Sequence, residues 1–514
     1  MKRNGAGGGL HLSSGSESLT SSSGAVLLLR TAAISGLTKG LSSAMAPWRT
    51  DRGVHNPGKT VLDLAIAVAL GGDCLADVAV LRAQPELFGP VASDPTVSRL
   101  IERLAADPDA AVAAIRSARA AAREQVWQRR SPVSATGRVV VDLDATLVAA
   151  HSEKEQAAPT FKRGFGFHPI LAFVDHAEAA TGEPLAALLR PGNANANNAD
   201  DQIRVLDAAL AQLPEDARSR VLVRGDAGSG VKAFLAHVVD LGLEFSVGMN
   251  IRGPILDALE RLPEQAWRRA VDADGRPRDG AHVAEVTAWL PTSFTGSGGW
   301  PSGTRVIVRR ERPHPGAQLR ITDVNGWRLT AFATNTPRRG KHGAGWRLAD
   351  LEIRHRLRAR AEDRIRGLKD TGLTNLPLHA FDKNQLWLEI AQLAYELIIW
   401  VGILRSSAST TDPPVPGNPN GCGYDSSPSP DGSSPPAAAE PCASANAGPG
   451  PTSSPPATPR LPPTPESAPQ PPTTRTSESR RPNAGTHPRP STDIATAPSR
   501  PDAQPAARKI EVSA

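Results

Sequence analysis

Between Gly137 and Val247 short β-branched runs alternate with helix-length amphipathic stretches, and this alternation restricts the region to an α/β layer. Arg138-Val139-Val140-Val141-Asp142-Leu143-Asp144 reads as a buried strand that ends in acids. Residues 170–174 read as a second strand and 184–189 as an edge-like one. Residues 220–223 form another, running into Gly225-Asp226-Ala227-Gly228-Ser229-Gly230, and 245–247 a further one. Residues 203–210 and 231–239 carry helical periodicity. Strands followed by helices in this order imply a mixed sheet flanked by helices.

The period differs on either side. From residue 60 to 127 Val61, Leu62, Leu64, Ala65, Val68 and Ala69 recur at helical spacing, and Ser93-Asp94-Pro95-Thr96 reads as a helix start before Val97, Leu100 and Ile101. Residues 46–130 are therefore expected as a small helical domain. Strict alternation over 282–290, 304–309 and 329–334 predicts a β-rich insertion at about 252–340, followed by long helices over 348–367 and 384–404. The Gly/Ser-rich start, residues 1–45, is expected to be a disordered extension. Of 47 prolines, 26 lie between Thr411 and Ala514, so 406–514 is expected to be a disordered tail. Its Pro/Ser/Arg/Ala/Thr composition is what an out-of-frame reading of GC-rich DNA gives.

Composition removes several classes. Three cysteines, Cys74, Cys422 and Cys442, are too few and scattered for a disulfide framework or a four-ligand zinc site, which favours a reducing, cytoplasmic setting. The apolar run 25–29 closes at Arg30, and 386–404 is interrupted by Glu389, Gln392 and Glu396, whereas a membrane span needs about 20 nearly uninterrupted apolar residues. No membrane partner is expected. A net charge of +6 with a pI near 9.5 permits a phosphate-backbone partner without establishing one. Gly53-Val54-His55-Asn56-Pro57-Gly58-Lys59-Thr60 has the letters of a phosphate-binding loop but lacks the preceding strand, and reads as a turn feeding a helix.

Two constellations carry chemistry. Asp142 and Asp144, two residues apart, share one face of their strand. Asp142-Leu143-Asp144-Ala145-Thr146-Leu147 resembles the motif of haloacid-dehalogenase-type phosphatases, which would make Asp142 the nucleophile and Asp144 the general acid. Alternatively, Asp144 and Asp226 each close or follow an apolar strand and converge at one sheet edge as ligands for divalent cations. Downstream, His355, Arg358, Glu362 and Lys369 are spaced to share a helical face beside an apolar stripe of Leu357, Ile365 and Leu368. An ordinary solvated face with an Arg358–Glu362 pair is the plain reading; the rim of an active site is the functional one.

Arg358-x3-Glu362-x6-Lys369 is similar to the Tyr-x2-Arg-x3-Glu-x6-Lys signature of insertion-sequence DDE transposases, with His355 in place of the tyrosine. Asp144-Ala145-Thr146 resembles their first-aspartate motif and Arg224-Gly225-Asp226-Ala227-Gly228 the second. Lys162 to Pro169, Arg190 to Asn198 and Asn375-Leu376-Pro377 look like the insertion sequence 1380 family. The resemblance covers residues 45–400 in order. It implies a ribonuclease-H-like core, residues 131–405, interrupted by the β insertion, and a DNA-binding role for the helical block.

It also implies Asp144, Asp226 and Glu362 as catalytic and metal-binding acids, with Asp142 left as a rival first acid or a supporting one. His355, Arg358 and Lys369 would contact DNA. The cofactor would be two Mg²⁺ or Mn²⁺ ions, about 3.5–4 Å apart in such sites, held by hard oxygen donors. The implied activity is cut-and-paste transposition: binding of terminal inverted repeats in double-stranded DNA, strand cleavage and strand transfer. A homodimer on DNA, a bacterial nucleoid-associated location and no small-molecule substrate follow from the same resemblance. In the family an aromatic residue of the insertion often stacks on a flipped base; Trp289, Trp300 and Trp327 stand there, core packing being the plain role of each. A catalytically inactive DNA-binding remnant and a phosphatase are the other readings.

Overall fold

The computed structural model describes residues 24–129, 137–176, 182–296, 298–313, 316–318, 323, 325–338 and 346–409. Its centre is a nine-stranded mixed sheet. The strands are β1 Val139–Ala145, β2 Ile170–Asp175, β3 Gly182–Leu188, β4 Val221–Gly225, β5 Glu244–Met249, β6 Arg268–Val271, β7 Pro277–Glu285, β8 Arg305–Glu311 and β9 Arg328–Thr334. In space they run β3-β2-β1-β4-β5-β9-β8-β7-β6. β1 pairs in parallel with β4, and β4 with β5; the remaining neighbours are antiparallel. The parallel steps need crossovers, and helices Ala199–Ala211 and Lys232–Asp240 supply them. They cover one face with Val205, Leu206, Ala209, Phe234, Leu235 and Val238, packed on Val141, Leu143, Val223 and Phe245.

The expected strands and helices of this block occur, with shifts of a few residues at their ends. The insertion is β-rich as read, but it is not a separate layer: β9 pairs with β5 through Ala331–Met249 and Phe332–Gly248, so the inserted strands extend the central sheet. Alternation shows that strands exist but not which strand they join. The run 282–290 is not one strand, since β7 ends at Glu285 and a 3₁₀ turn follows at Thr287–Trp289.

Helices Pro57–Ala69, Asp94–Ala105 and Pro108–Arg129 bear out the helical period of the N-terminal block. The suspected phosphate loop is a helix start: Asn56 caps it by accepting from the Lys59 amide, Pro57 takes the first position, and Lys59 pairs with Asp63 at 2.6 Å. The expectation of disorder over 1–45 is corrected for its second half. Helices Ala25–Ile34 and Leu37–Ala44 bury Ala25, Leu28, Ala32, Leu37 and Leu41 completely or nearly so. The Gly/Ser bias ends near Gly24, and residues 25–44 have an apolar face to bury. Residues 1–23 and 410–514 lie outside the described residues; of the expected tail, 406–514, the first four residues continue helix Phe381–Ser409, and the rest, with the suspected frameshift, lies outside.

Helix Phe381–Ser409 runs through the middle of these helices and also meets β3. Leu386, Trp387, Ile390, Leu393, Ala394, Leu397 and Trp400 share one core with Val61, Leu64, Leu100, Ile115 and Phe173. The boundary drawn near residue 130 follows the change of period; the core continues across it. Over Phe381–Arg405 this is the one helix, among the described residues, long and apolar enough to cross a membrane, yet 67% of its most apolar window is buried in the protein. The polar residues that interrupt it explain the placement. Glu389 and Glu396 are fully buried on Arg119, which donates to them at 3.0 and 2.8 Å, and Glu183 accepts from Arg123 at 3.0 Å and from Trp400 at 2.8 Å. Buried charges persist only when paired this fully.

The expected continuous helix 348–367 is divided into Leu348–Arg356, a 3₁₀ turn Leu357–Ala359 and Arg360–Leu368. A tightened turn inside a helix re-aims the side chains on either side of it, and here it falls at Arg358.

Candidate active site

Register fixes the first two acids. Leu143 on β1 is the partner of Gly225 on β4, so Asp144 and Asp226 leave neighbouring parallel strands side by side. Gly225 sits opposite Ser229, whose Oγ would lie 2.4 Å from any added Cβ, so only glycine lets the chain turn there. Asp226 then caps that turn, accepting from the Gly228 amide at 2.8 Å. Both carboxylates line a cavity of about 110 Å³ with Phe161, His168, Ile170, Gln202 and Ser229.

The third acid comes from the helix past the insertion. Arg358 lies 3.6 Å from Asp144 and 3.5 Å from Glu362, bridging the two. Asp144 is pushed up to about 6, first by burial and then by repulsion from Asp226, with Glu362 adding and Arg358 opposing. A carboxylate raised by neighbouring carboxylates is one that a cation would relieve, and a guanidinium already bridges two of the acids. All three offer the hard oxygens that Mg²⁺ or Mn²⁺ prefers. The chemistry of this donor set therefore fits a hard divalent cation. Among the described residues the one group of three ligand atoms within 4.8 Å of one another is elsewhere, at Asp73, Cys74 and Asp77. There Asp77 already accepts from the Asp73 and Cys74 amides, a turn-closing pattern.

The remaining expected residues are spread along the same helical region. His355 does not reach Asp144 or Glu362 by any hydrogen bond; its ring stacks on Phe332 at 4.5 Å and 7°, and Nδ1 meets Ser246 Oγ at 3.1 Å. Burial, aided by Arg358 and Arg224, pushes it down to about 3, so it is uncharged at neutral pH. Lys369 donates to the Leu147 carbonyl at 2.9 Å, and burial lowers its pKa. Trp289 packs in the core of the insertion and Trp300 stacks on Phe294 at 5.9 Å, while Trp327 lies beneath Arg310 and Arg312 at 4.7 and 3.9 Å.

Asp142 is not a reactive group. It is fully buried and clamped by Arg224 through two 2.7 Å bonds, with Arg364 at 2.9 Å. Arg224 and Arg364 also reach Asp175 at 2.6 and 3.0 Å, and Arg360 reaches it at 3.3 Å. This corrects the phosphatase reading, which needs Asp142 open to a substrate. The network ties β1, β2 and β4 to helix Arg360–Leu368, the element that carries Glu362. Sequence reasoning missed Asp175, Arg360 and Arg364. The signal was available: a carboxylate inside an apolar strand requires a buried cation, and arginines interleaved with a buried stripe are the natural suppliers.

No curated protein matches the sequence. Among solved structures, the piggyBac transposase synaptic complex with hairpin DNA, determined by cryo-EM, aligns over 75% of this chain and 75% of its own at 10% identity and a TM-score of 0.36, a likeness too slight to carry an argument. The family described as Transposase DDE domain group 1 matches residues 7–412, ending where the proline-rich stretch begins. With a match over most of its length, the chain belongs to the DDE transposases of group 1.

Proposed function

We propose that this chain binds the terminal inverted repeats of an insertion sequence of the 1380 type and catalyses strand cleavage and strand transfer, using Asp144, Asp226 and Glu362 as the catalytic acids. The observation that carries the reading is the convergence of Asp144 and Asp226 from adjacent parallel strands on one cavity, with Arg358 linking Asp144 to Glu362. The strand order β3-β2-β1-β4-β5, with its antiparallel and parallel steps, supports a ribonuclease-H-like core.

Two Mg²⁺ or Mn²⁺ ions held by these carboxylates would activate a water or a 3′-hydroxyl and stabilise the leaving 3′-oxygen of an in-line displacement at phosphorus. The chain's own residues do the rest. Asp144 must lose its proton to serve as a ligand, and Arg358 favours that loss. Freed from the acids, the Arg358 guanidinium offers a bidentate fork to a DNA phosphate, while Lys369 offers a point charge. His355, neutral and held flat on Phe332, contributes by hydrogen bonding rather than charge. A homodimer on two repeat ends, within the bacterial nucleoid, completes the proposal. Helices of the 46–130 block supply DNA contacts.

The test is cleavage of a labelled duplex carrying the element's own terminal repeat, with Mg²⁺ or Mn²⁺, comparing wild type with Glu362→Ala. Metal-dependent nicking lost in the variant supports the proposal. Binding without nicking by the wild type identifies an inactive remnant, for which the composition after Arg405 is a reason. Family-like helical sequence in another reading frame beyond that codon would show a frameshifted copy.

A further inference from the structure

The cavity of the two aspartates has an aromatic wall that the catalytic reading does not use. Short strands Ala158–Pro159 and Phe165–Phe167 are joined by a turn closed by its own bonds: Thr160 donates to the Gly164 carbonyl at 2.8 Å, Arg163 to the Thr160 carbonyl at 3.0 Å, and Gly164 to Thr160 Oγ1 at 3.1 Å. Arg163 holds the left-handed conformation, φ 62°, that this turn requires. The turn is thus a fixed tip. Residues 161–165 are all exposed, and 166–170 behind them are all buried.

Phe161 is 69% exposed, yet it lines the cavity together with Asp144 and Asp226. Its ring rests against His168, centroids 5.6 Å apart, and His168 is buried and fixed by a 3.0 Å bond from Nδ1 to the Ala194 carbonyl. Lys162 lies 5.7 Å over the Phe161 ring and close enough to Lys369 to repel it. Neither Lys162 nor Arg163 has a carboxylate partner among the described residues. An exposed aromatic ring beside cations that have no carboxylate partner among the described residues, at the mouth of an acidic cavity, matches a ligand that has a flat ring and an anion within a few bonds of each other. A nucleotide of a DNA strand has both.

We propose that Phe161, with Lys162 and Arg163, is a stacking and phosphate-holding platform for the nucleotide next to the scissile bond, positioning the strand over Asp144 and Asp226. This rests on the transposase reading above. It makes Phe161 a positioning residue for the DNA end.

The probe is a duplex carrying the element's terminal repeat with 2-aminopurine beside the scissile bond, bound to the full chain with Ca²⁺ in place of Mg²⁺. Stacking on Phe161 should quench the fluorophore. Phe161→Ala should abolish the quench and weaken binding roughly 5- to 150-fold, the span of losing one base–aromatic stack, and Phe161→Trp should restore both. Lys162→Ala and Arg163→Ala should each lower the salt dependence of binding by about one phosphate contact. Unchanged quench and affinity in Phe161→Ala, or failure of Phe161→Trp to restore them, overturns the platform. Cleavage of the same duplex by wild type with Mg²⁺ is scored separately: if wild type cuts and Phe161→Ala binds and quenches normally, the platform alone falls, whereas wild type that neither binds nor cuts removes both readings.

Discussion

Replacing Arg364 with methionine should cost far more than an ordinary surface charge. Its guanidinium is 4% exposed and lies 2.9 Å from Asp142 and 3.0 Å from Asp175, whose side chains are 0% and 2% exposed. Methionine fills similar volume, so packing is largely kept and the electrostatic loss dominates. Removing one partner of a buried pair costs about 3–5 kcal/mol, because the remaining charge is left desolvated. Arg224 still holds both aspartates and Arg360 still reaches Asp175, so the lower end, about 3 kcal/mol, is expected. The assay is urea unfolding at neutral pH, with Arg366→Met as control; Arg366 pairs with Asp363 at the surface, where the loss should be under about 1 kcal/mol. Adding Asp142→Asn to Arg364→Met should cost less than the sum of the two single changes, since the stranded charge is gone. A loss under about 1 kcal/mol for Arg364→Met, or strict additivity with Asp142→Asn, would refute the reasoning. In the folded fraction, looser attachment of helix Arg360–Leu368 should also slow cleavage, because Glu362 is on it.

Asp144→Asn should stabilise the metal-free protein at neutral pH. Its acid is raised from 3.8 to about 6, so the fold disfavours the charged form; that penalty is absent below pH 4, grows through pH 4–6 and is complete above. The shift corresponds to about 3 kcal/mol, and melts of both proteins across this pH range should diverge with rising pH; parallel curves would contradict it. Gly182→Ala should destabilise by about 1–3 kcal/mol, since the new methyl would lie 2.2 Å from Arg364 Nε and 2.3 Å from the Val174 carbonyl. Urea unfolding measures this too, and a neutral result would mean that Arg364 is not confined.

Sequence alone determined the α/β alternation, the strand that ends at Asp144, the turn at Asp226 and the helical spacing of Arg358, Glu362 and Lys369. These are local patterns: period two, period 3.6, and glycine where the chain must turn. Three things were decided only by tertiary structure. The inserted strands joined the central sheet, because an edge at β5 was open to β9 and alternation carries no partner information. Residues 25–44 became buried helices, because surfaces further along the chain were there to receive them: helix Phe381–Ser409 for Ala25–Ile34, and helices Pro57–Ala69 and Pro108–Arg129 for Leu37–Ala44. Asp142 and Asp144, equivalent by spacing, acquired opposite roles. One met Arg224 and Arg364 in a sealed network; the other met a cavity and a second aspartate, and burial, register and neighbouring charge separated what two identical side chains could not.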